Sequence, residues 1–535
     1  MTGSFEGKVT LGSQRSVLSV VRNGASAFRM LEIIRLFDDD ERLNLRMTVG
    51  PQSRYDYGVE QLLTSERIRL LPWNAAKESR FDLILSGSAH TCLSQLRGPV
   101  VLFPHGAGHH KRPPALSDGD QVFELTDDQL MHDGTAIATR HLLPGPDSLT
   151  RLERDCAPAA RRAVIAGDPI VQQLRAHLSL RDSYRAELGL RPGQKLVVVS
   201  STWGPRSLAG QSLGVLRRLV AELPMDEYRV AATFHHNVTI RDGHRELERI
   251  LRSTIDSGLI LIPPESGWQS TVLASDCLIG DYGSTTFYAS DVVPVAIAAH
   301  APDECPADSP MTALANAVPH IDPDRPLRPQ IDSLTDAPRP SIVEEIIDSS
   351  VTRDIDAPAV FRSTMYELMG LAEPTAPAAL PVAAPRSHHR EVTAFVVQPA
   401  VDGAVVRLRR YPAATAPMRD GGHLVVRTDD PDPRRPQSAA ALVATKPGFD
   451  LAALLDRFPG CRVAVKPVPD AIAFRVRAGS EFTIGTDAVA DAEAATLAVS
   501  GYLGFEVTGR TLPDRFTVTC GGRRIVLHRN ESALG

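Results

Sequence analysis

The 535-residue sequence lacks the marks of several common protein classes. It has only six cysteines, Cys92, Cys156, Cys277, Cys305, Cys461 and Cys520, and no CxxC pair. That spacing argues against a disulfide framework or a zinc site and predicts reduced thiols in the cytoplasm. No apolar run approaches the ~20 residues that span a bilayer, and the first fifteen residues have no hydrophobic signal core. There is no excess of positive charge: the net charge is −6, which repels a polyanion and argues against nucleic acid as a partner. No GxxxxGK[ST] occurs, which argues against a P-loop NTPase. No GxSxG elbow occurs, which argues against a serine hydrolase. No cofactor and no metal is called for.

What remains is an ordinary soluble composition, 43% hydrophobic and 23% charged, on a chain long enough for about two to four domains. Arg15–Val21 reads as a buried strand, followed by the small-residue loop Arg22–Ser26, a helix over 27–37 and a strand at Leu43–Val49. That is the start of a doubly wound α/β domain. The loop is not GxGxxG, so no nicotinamide site follows from it. Phe81–Ser86, Pro99–Phe103 and Arg162–Ala166 are further strands; Gln121–Leu125 and Thr135–Thr139 are shorter ones, and 170–188 reads as mostly helical. Strands at 196–199, 228–233, 259–262, 277–280 and 293–297 build a second such domain. Residues 301–350 read as irregular, and 360–371 as an amphipathic helix packing across both domains. The Ala/Pro stretch from Glu373 is a semi-rigid linker. Beyond it, alternating strands and two helices form an α+β module with no catalytic constellation, best read as a partner-binding or stabilising unit. The expected boundaries are 1–190, 191–372, 373–389 and 390–535.

The chemistry gathers at strand ends. Pro99–Phe103 runs into His105-Gly106-Ala107-Gly108-His109-His110-Lys111. An imidazole at a strand end can take a proton from an acceptor hydroxyl, and Lys111 with Arg112 can meet phosphate. His109 and His110 diverge as neighbours, which weakens a metal reading. In the second domain, four loops follow strands: Ser200–Ser207, His235–Asn237, Pro263–Gln269 and Asp281–Thr286. In a parallel sheet all four lie on one edge. Glycine and hydroxyl groups there suit the diphosphate of a nucleotide, and His235 or His236 can donate a hydrogen bond to it. Taken alone, the Asp281–Thr286 loop is more readily an ordinary capped turn; the convergence of four loops carries the reading.

These loops resemble those of the CDP-glycerol glycerophosphotransferases of teichoic acid synthesis. Ser275-Asp276-Cys277-Leu278-Ile279-Gly280-Asp281-Tyr282-Gly283-Ser284 is similar to that family's S-D-x-L-I-T-D-Y-S-S. His105-Gly106 with Lys111 resembles its W-H-G-T-P-x-K, Ser201-Thr202-Trp203-Gly204 with Arg206 its P-T-W-R, and Phe234-His235-His236-Asn237 its R-x-H-P. The resemblance covers about residues 15–300 and implies a GT-B fold, two Rossmann-like domains facing a cleft. It implies that His105 is the base. Ser201, Thr202, His236, Ser284 and Thr285 would hold donor phosphates, with Arg206, His235 and Gly283 beside them. Asp281 would organise the site or contact the donor's polyol, and Asn23 and Lys111 would meet the acceptor or a phosphate. Gly283 and Gly204 stand where the motifs have a hydroxyl and an arginine, which widens the transferred group to a nucleotide-activated polyol or sugar.

The expectation is a metal-independent transferase. It would move a glycerophosphate, polyol-phosphate or sugar group from a nucleotide-diphosphate donor to a hydroxyl acceptor, in cell-envelope polymer synthesis. A lipid-linked acceptor and a peripheral position at the inner membrane face are compatible with this, as is a protein partner on the 390–535 module. The alternatives are a GT-B nucleotide-sugar glycosyltransferase or epimerase-like enzyme, and a degenerate transferase fold that binds a nucleotide or partner without turnover.

Overall fold

A computed structural model describes residues 13–51, 58–112, 123–264, 266–299, 303–385, 389–446, 448–479 and 481–529. Six parallel strands form the first sheet: β1 (Arg15–Val21), β2 (Leu43–Val49), β3 (Leu83–Ser86), β4 (Val100–Leu102), β5 (Arg140–Leu143) and β6 (Ala163–Ile165), in the order β2-β1-β3-β4-β5-β6. The second sheet is also parallel: β7 (Lys195–Ser201), β8 (Tyr228–Phe234), β9 (Ile260–Ile262), β10 (Cys277–Gly280) and β11 (Val295–Ile297), ordered β9-β8-β7-β10-β11. Helices cover both faces of such sheets, so central strands such as Leu196–Val199 and Cys277–Ile279 read as unbroken apolar runs and are fully buried. In each sheet the strand order reverses beside its first strand, between β1 and β3 and between β7 and β10. These are the switch points where open α/β sheets bind ligands.

Six helices bear on the argument: α1 (Gly24–Ile33), α2 (His236–Asp242), α3 (Trp268–Ala274), α4 (Ser284–Ser290), α5 (Ala357–Met369) and α6 (Ala492–Val507). Phe361, Met365, Tyr366 and Met369 of α5 pack with Val17, Met30 and Leu83. The chain thus leaves the second sheet and lays its helix against the first, rather than across both. The linker follows the same surface: Leu380 is buried in that cluster, and Pro381 O accepts from Gln173 Nε2 at 2.7 Å.

Residues 301–350 are not irregular. Helices occupy Pro310–Ala317, Leu327–Asp336 and Ser341–Ser350. Three of the prolines that suggested a loop stand at helix starts, where a missing N–H costs nothing: Pro310 opens the first helix behind the Ser309 cap, and Pro326 and Pro340 stand just before the other two. The expected strand at 121–125 lies partly outside the described residues, and 123–125 form a turn. The pairing at 135–139 shortens to Thr135–Ala136. The helix over 170–188 is broken at His177 into Pro169–Ala176 and Arg181–Glu187.

The C-terminal module closes into a barrel. Its strands are β12 (Ala394–Asp402), β13 (Val405–Pro412), β14 (His423–Arg427), β15 (Ala441–Val443), β16 (Val463–Val468), β17 (Ala471–Val476), β18 (Glu481–Thr486), β19 (Arg515–Cys520) and β20 (Arg523–Arg529). The order around the barrel is β12-β13-β19-β20-β18-β17-β16-β15-β14, and β14 pairs back to β12. Helix α6 packs against β12 to β17 and β19, and its middle, residues 494–501, is buried throughout and carries no charge. Gly501 and Gly504 fit it there, since a Cβ would lie 2.6 Å from Val518 and 3.0 Å from Pro399. All six cysteines are buried and unpaired. No helix among the described residues is long and apolar enough to cross a membrane.

Candidate functional site between two parallel sheets

The loops at the carboxyl ends of the two sheets meet. A Cβ on Gly106, after β4, would lie 2.5 Å from Ser284 Oγ, at the start of α4. A Cβ on Gly24, the first residue of α1, would lie 2.2 Å from the ring of His236, the first residue of α2. Phe28 flanks the same ring at 5.3 Å. Below this contact a polar seam joins the domains. Buried Arg29 bonds Asp168 at 2.8 Å, Tyr288 donates to the same carboxylate at 2.8 Å, and Gln269 Nε2 donates to Glu32 at 2.6 Å. Burial pushes Glu32 up to about 7, against the opposing pull of Arg29 and Gln269.

On the first-domain face, His105 Nδ1 lies 2.9 Å from Gly87 O and 3.3 Å from Glu124 Oε2. Both neighbours are acceptors, so Nδ1 carries the proton and Nε2 keeps its lone pair. Burial disfavours the imidazolium, but the charge and hydrogen bond of Glu124 outweigh it and raise His105 above the ordinary imidazole value. Glu124 is itself held: its Oε1 accepts from Ser88 Oγ at 2.5 Å and its N–H bonds Gln129. Its φ of 73° lies in the left-handed region, which is uncommon for a residue with a Cβ and marks a position whose surroundings over-determine it. Asn23 caps α1 by accepting from Ser26 N at 2.8 Å. Lys111 Nζ stands 5.6 Å from the centre of the Tyr282 ring, and so reaches the second domain.

On the opposite face, Asp281 is 0% exposed and lies at the switch point between β7 and β10. Its carboxylate accepts from the N–H groups of Thr202 (2.9 Å), Leu208 (2.9 Å) and Gly283 (3.0 Å), and from Ser201 Oγ (3.2 Å). Burial raises Asp281 above the ordinary carboxylate value, while those N–H groups pull the other way. The residue therefore ties the loops after β7 and β10 together. Ser201 is engaged within the fold, as its Oγ also accepts from Ala209 N at 2.9 Å. Thr202 is buried. Gly283 leaves room for it, since a Cβ there would lie 3.2 Å from Thr202 Cβ and 3.1 Å from Asp281 Oδ1. Ser284 is exposed and Thr285 half-exposed, so of the predicted hydroxyls these two face outward.

His235 caps α2 through Nδ1 (3.2 Å to Asn237 N), and its ring centre lies 3.9 Å from that of His236, the planes tilted by 38°. Burial, and then His236, Lys111 and His105, hold His235 well below the ordinary value. Burial and then His105 lower His236 to about 3. Both rings are neutral at pH 7, and His236 Nε2 is buried without a hydrogen-bond partner among the described residues. Arg206 sits at the rim, 3.2 Å from Asp303.

The fold brings His105, Lys111, His235, His236 and Asp281–Thr285 together where the loops of the two sheets meet, with Asn23 next to the Gly24–His236 contact. It leaves Arg206 at the edge. Glu124 was missed because Phe123-Glu124-Leu125 reads as a strand fragment and nothing in sequence ties it to His105. Gly87 and Ser88 could have been found, since they follow β3 as His105 follows β4.

Two parallel sheets that face each other through the carboxyl ends of their strands are a GT-B architecture, here with a barrel appended. No protein-family profile matches the sequence, and no curated protein matches it. Among solved structures, the wall teichoic acid polymerase TagF superposes with a TM-score of 0.44 at 14% identity, over 67% of this chain and 89% of that one. A putative UDP-N-acetylglucosamine 2-epimerase from Listeria monocytogenes gives 0.43 at 14%, over 68% of this chain and 100% of its own. The UDP-GlcNAc 2-epimerase from Neisseria meningitidis, bound to UDP-GlcNAc, gives 0.43 at 12%, over 66% and 100%.

Proposed function

We propose that the cleft transfers a group from a nucleotide-diphosphate donor to a hydroxyl acceptor, with His105 as general base. The observation that carries this is the His105–Glu124 pair, whose free Nε2 belongs to the loop that abuts Ser284 on the opposite domain. In this reading the acceptor O–H gives its proton to His105 Nε2 as its oxygen attacks the donor, and the nucleotide departs with the bonding electrons. Glu124 holds the ring and steadies the imidazolium that forms, a contribution of the kind general bases make at about 10²–10⁴-fold. Ser284, Thr285 and Lys111 meet the donor phosphates. His236, neutral and unpartnered at Nε2, offers one more hydrogen bond. Asp281 positions the loops that carry these groups rather than exchanging a proton. A polyol phosphate or a sugar is the transferred group, and a teichoic-acid-type glycerophosphate is one member of that set.

Isothermal titration with CDP, UDP, GDP and ADP tests the donor half. One nucleotide should bind, and Ser284→Ala should weaken it; the base that binds names the donor class. Turnover with that donor tests the other half: His105→Ala should abolish transfer while nucleotide binding persists. If no nucleotide binds at millimolar concentration, the reading is wrong. Binding without any turnover would instead identify a non-catalytic nucleotide-binding protein.

A further inference from the structure

A second polar site lies away from the cleft, where the second α/β domain meets the barrel. A cavity of about 410 Å³ opens between them, lined by six arginines against three carboxylates. Five of the six are matched. Arg410 binds Asp226 and Glu493, Arg191 binds Asp226 at 2.7 Å, and Arg523 binds Glu493 at 2.8 Å. Arg390 binds Asp256 at 2.8 Å, and Arg427 pairs with Glu391 and Asp429.

Arg229, on β8, is the sixth. It lines the same cavity and carries no hydrogen bond or ion pair among the described residues. Its half-buried guanidinium has five donors that no protein acceptor uses, so they stay open to an anion in the cavity. His389 stands beside it in the lining. Burial, and next the charge of Arg191, depress Arg229 below the ordinary arginine value; burial and then Arg229 do the same to His389. Burial is the larger cause of both shifts, a neighbouring arginine the second, and Asp226 pulls Arg229 the other way. The remaining wall is mixed, with Val230, Val392 and Phe395 beside Tyr228, Ser257 and Asp491.

We propose that this seam is a binding site for a small phosphate-bearing anion, held by Arg229 and His389 with its remaining atoms against the mixed wall. A planar guanidinium matches a phosphate dianion through two parallel N–H···O bonds. The cavity volume suits a phosphomonoester of modest size and is far smaller than a folded partner needs. Because the walls belong to two different units, an occupant would stiffen the junction between the barrel and the domain that carries Asp281. This site is independent of the reading of the cleft.

The test is isothermal titration and thermal melting of the full chain with inorganic phosphate and with phenyl phosphate. Both should bind saturably and raise the melting temperature. Tighter binding of phenyl phosphate identifies an organic monoester as the ligand type, and equal binding identifies the bare anion. Arg229→Met should weaken both by about tenfold or more, as expected for loss of a charge-assisted pair, with no change in nucleotide binding at the cleft. Because Arg229 has no partner, its removal orphans no carboxylate, so the variant should fold and melt no lower than the wild type without ligand. His389→Ala is the second probe and should weaken binding less. Absence of saturable binding, or equal binding by Arg229→Met, would overturn the proposal.

Discussion

Two buried aspartates at the two seams of this molecule meet opposite solutions to the same problem. Asp281 faces the cleft and is surrounded by backbone N–H groups from Thr202, Leu208 and Gly283. Asp226 faces the barrel, 1% exposed in its side chain, and is gripped by Arg410 and Arg191. Burial raises Asp281. At Asp226 burial is outweighed by Arg410, then by the Cys520 thiol and Arg191, and the carboxyl sits well below the usual range. Amide donors shape loops without adding charge, which leaves the cleft free to receive an anion. Guanidinium donors lock two bodies together through charge. The first arrangement suits a site, the second a joint.

The largest expected effect falls on the joint. Asp226→Ala removes two charge-assisted hydrogen bonds from the buried Arg410 and leaves it Glu493 alone; breaking a buried pair costs about 3–5 kcal/mol, to be read by chemical denaturation. Nucleotide binding at the cleft should be unchanged in the protein that remains folded. The sign with pH follows from the depressed value: the wild-type contribution is present above the ordinary carboxylate range and is lost as pH falls through the folded value. If Asp226→Ala destroys nucleotide binding in the folded fraction, the separation of joint and site fails.

Asp281→Ala should cost less stability, about 1–3 kcal/mol for donors left without an acceptor, and should lose nucleotide binding. Retained binding would show that the loops after β7 and β10 hold their shape without this carboxylate. The next effect is on the acid limb of turnover. In the proposed mechanism His105 must be neutral to act, and Glu124 raises it, so Glu124→Gln should move the acid limb of kcat/KM to lower pH while reducing the maximal rate. An unmoved limb would separate Glu124 from His105. The smallest effect is expected at Glu32, raised to about 7 by burial. Its protonated form is favoured in the fold, a contribution complete below the ordinary carboxylate value and lost as pH rises through about 7. Glu32→Gln should therefore gain stability relative to wild type at pH 8 and lose that gain in acid.

Several expectations from sequence stand because they rest on local chemistry. Buried parallel strands such as Leu196–Val199 need unbroken apolar runs, so their positions are visible in the chain. Residues after such strands must turn, so His105-Gly106 and Asp281–Ser284 announce themselves through glycine, hydroxyl and imidazole groups. The errors have physical causes too. The Pro-rich stretch 301–350 looked irregular because composition does not say whether a proline opens a helix or breaks one. Gln121–Leu125 looked like a strand because five residues are too few to fix a period.

What the chain alone determined is the list of strands, the side chemistry of the loops behind them and the parallel direction that puts those loops on one edge. Which loops touch was decided only by the tertiary structure. Pairing His105 with Glu124 requires an eighteen-residue excursion from Gly106 that returns to Gly87–Ser88. Placing Gly106 against Ser284 requires two separately folded sheets to dock. The closed barrel around α6, and the unmatched Arg229 at its border with the second sheet, depend on contacts between units far apart in sequence. Local propensity is written in neighbouring residues; charge balance at a seam depends on which distant residues the packing brings together.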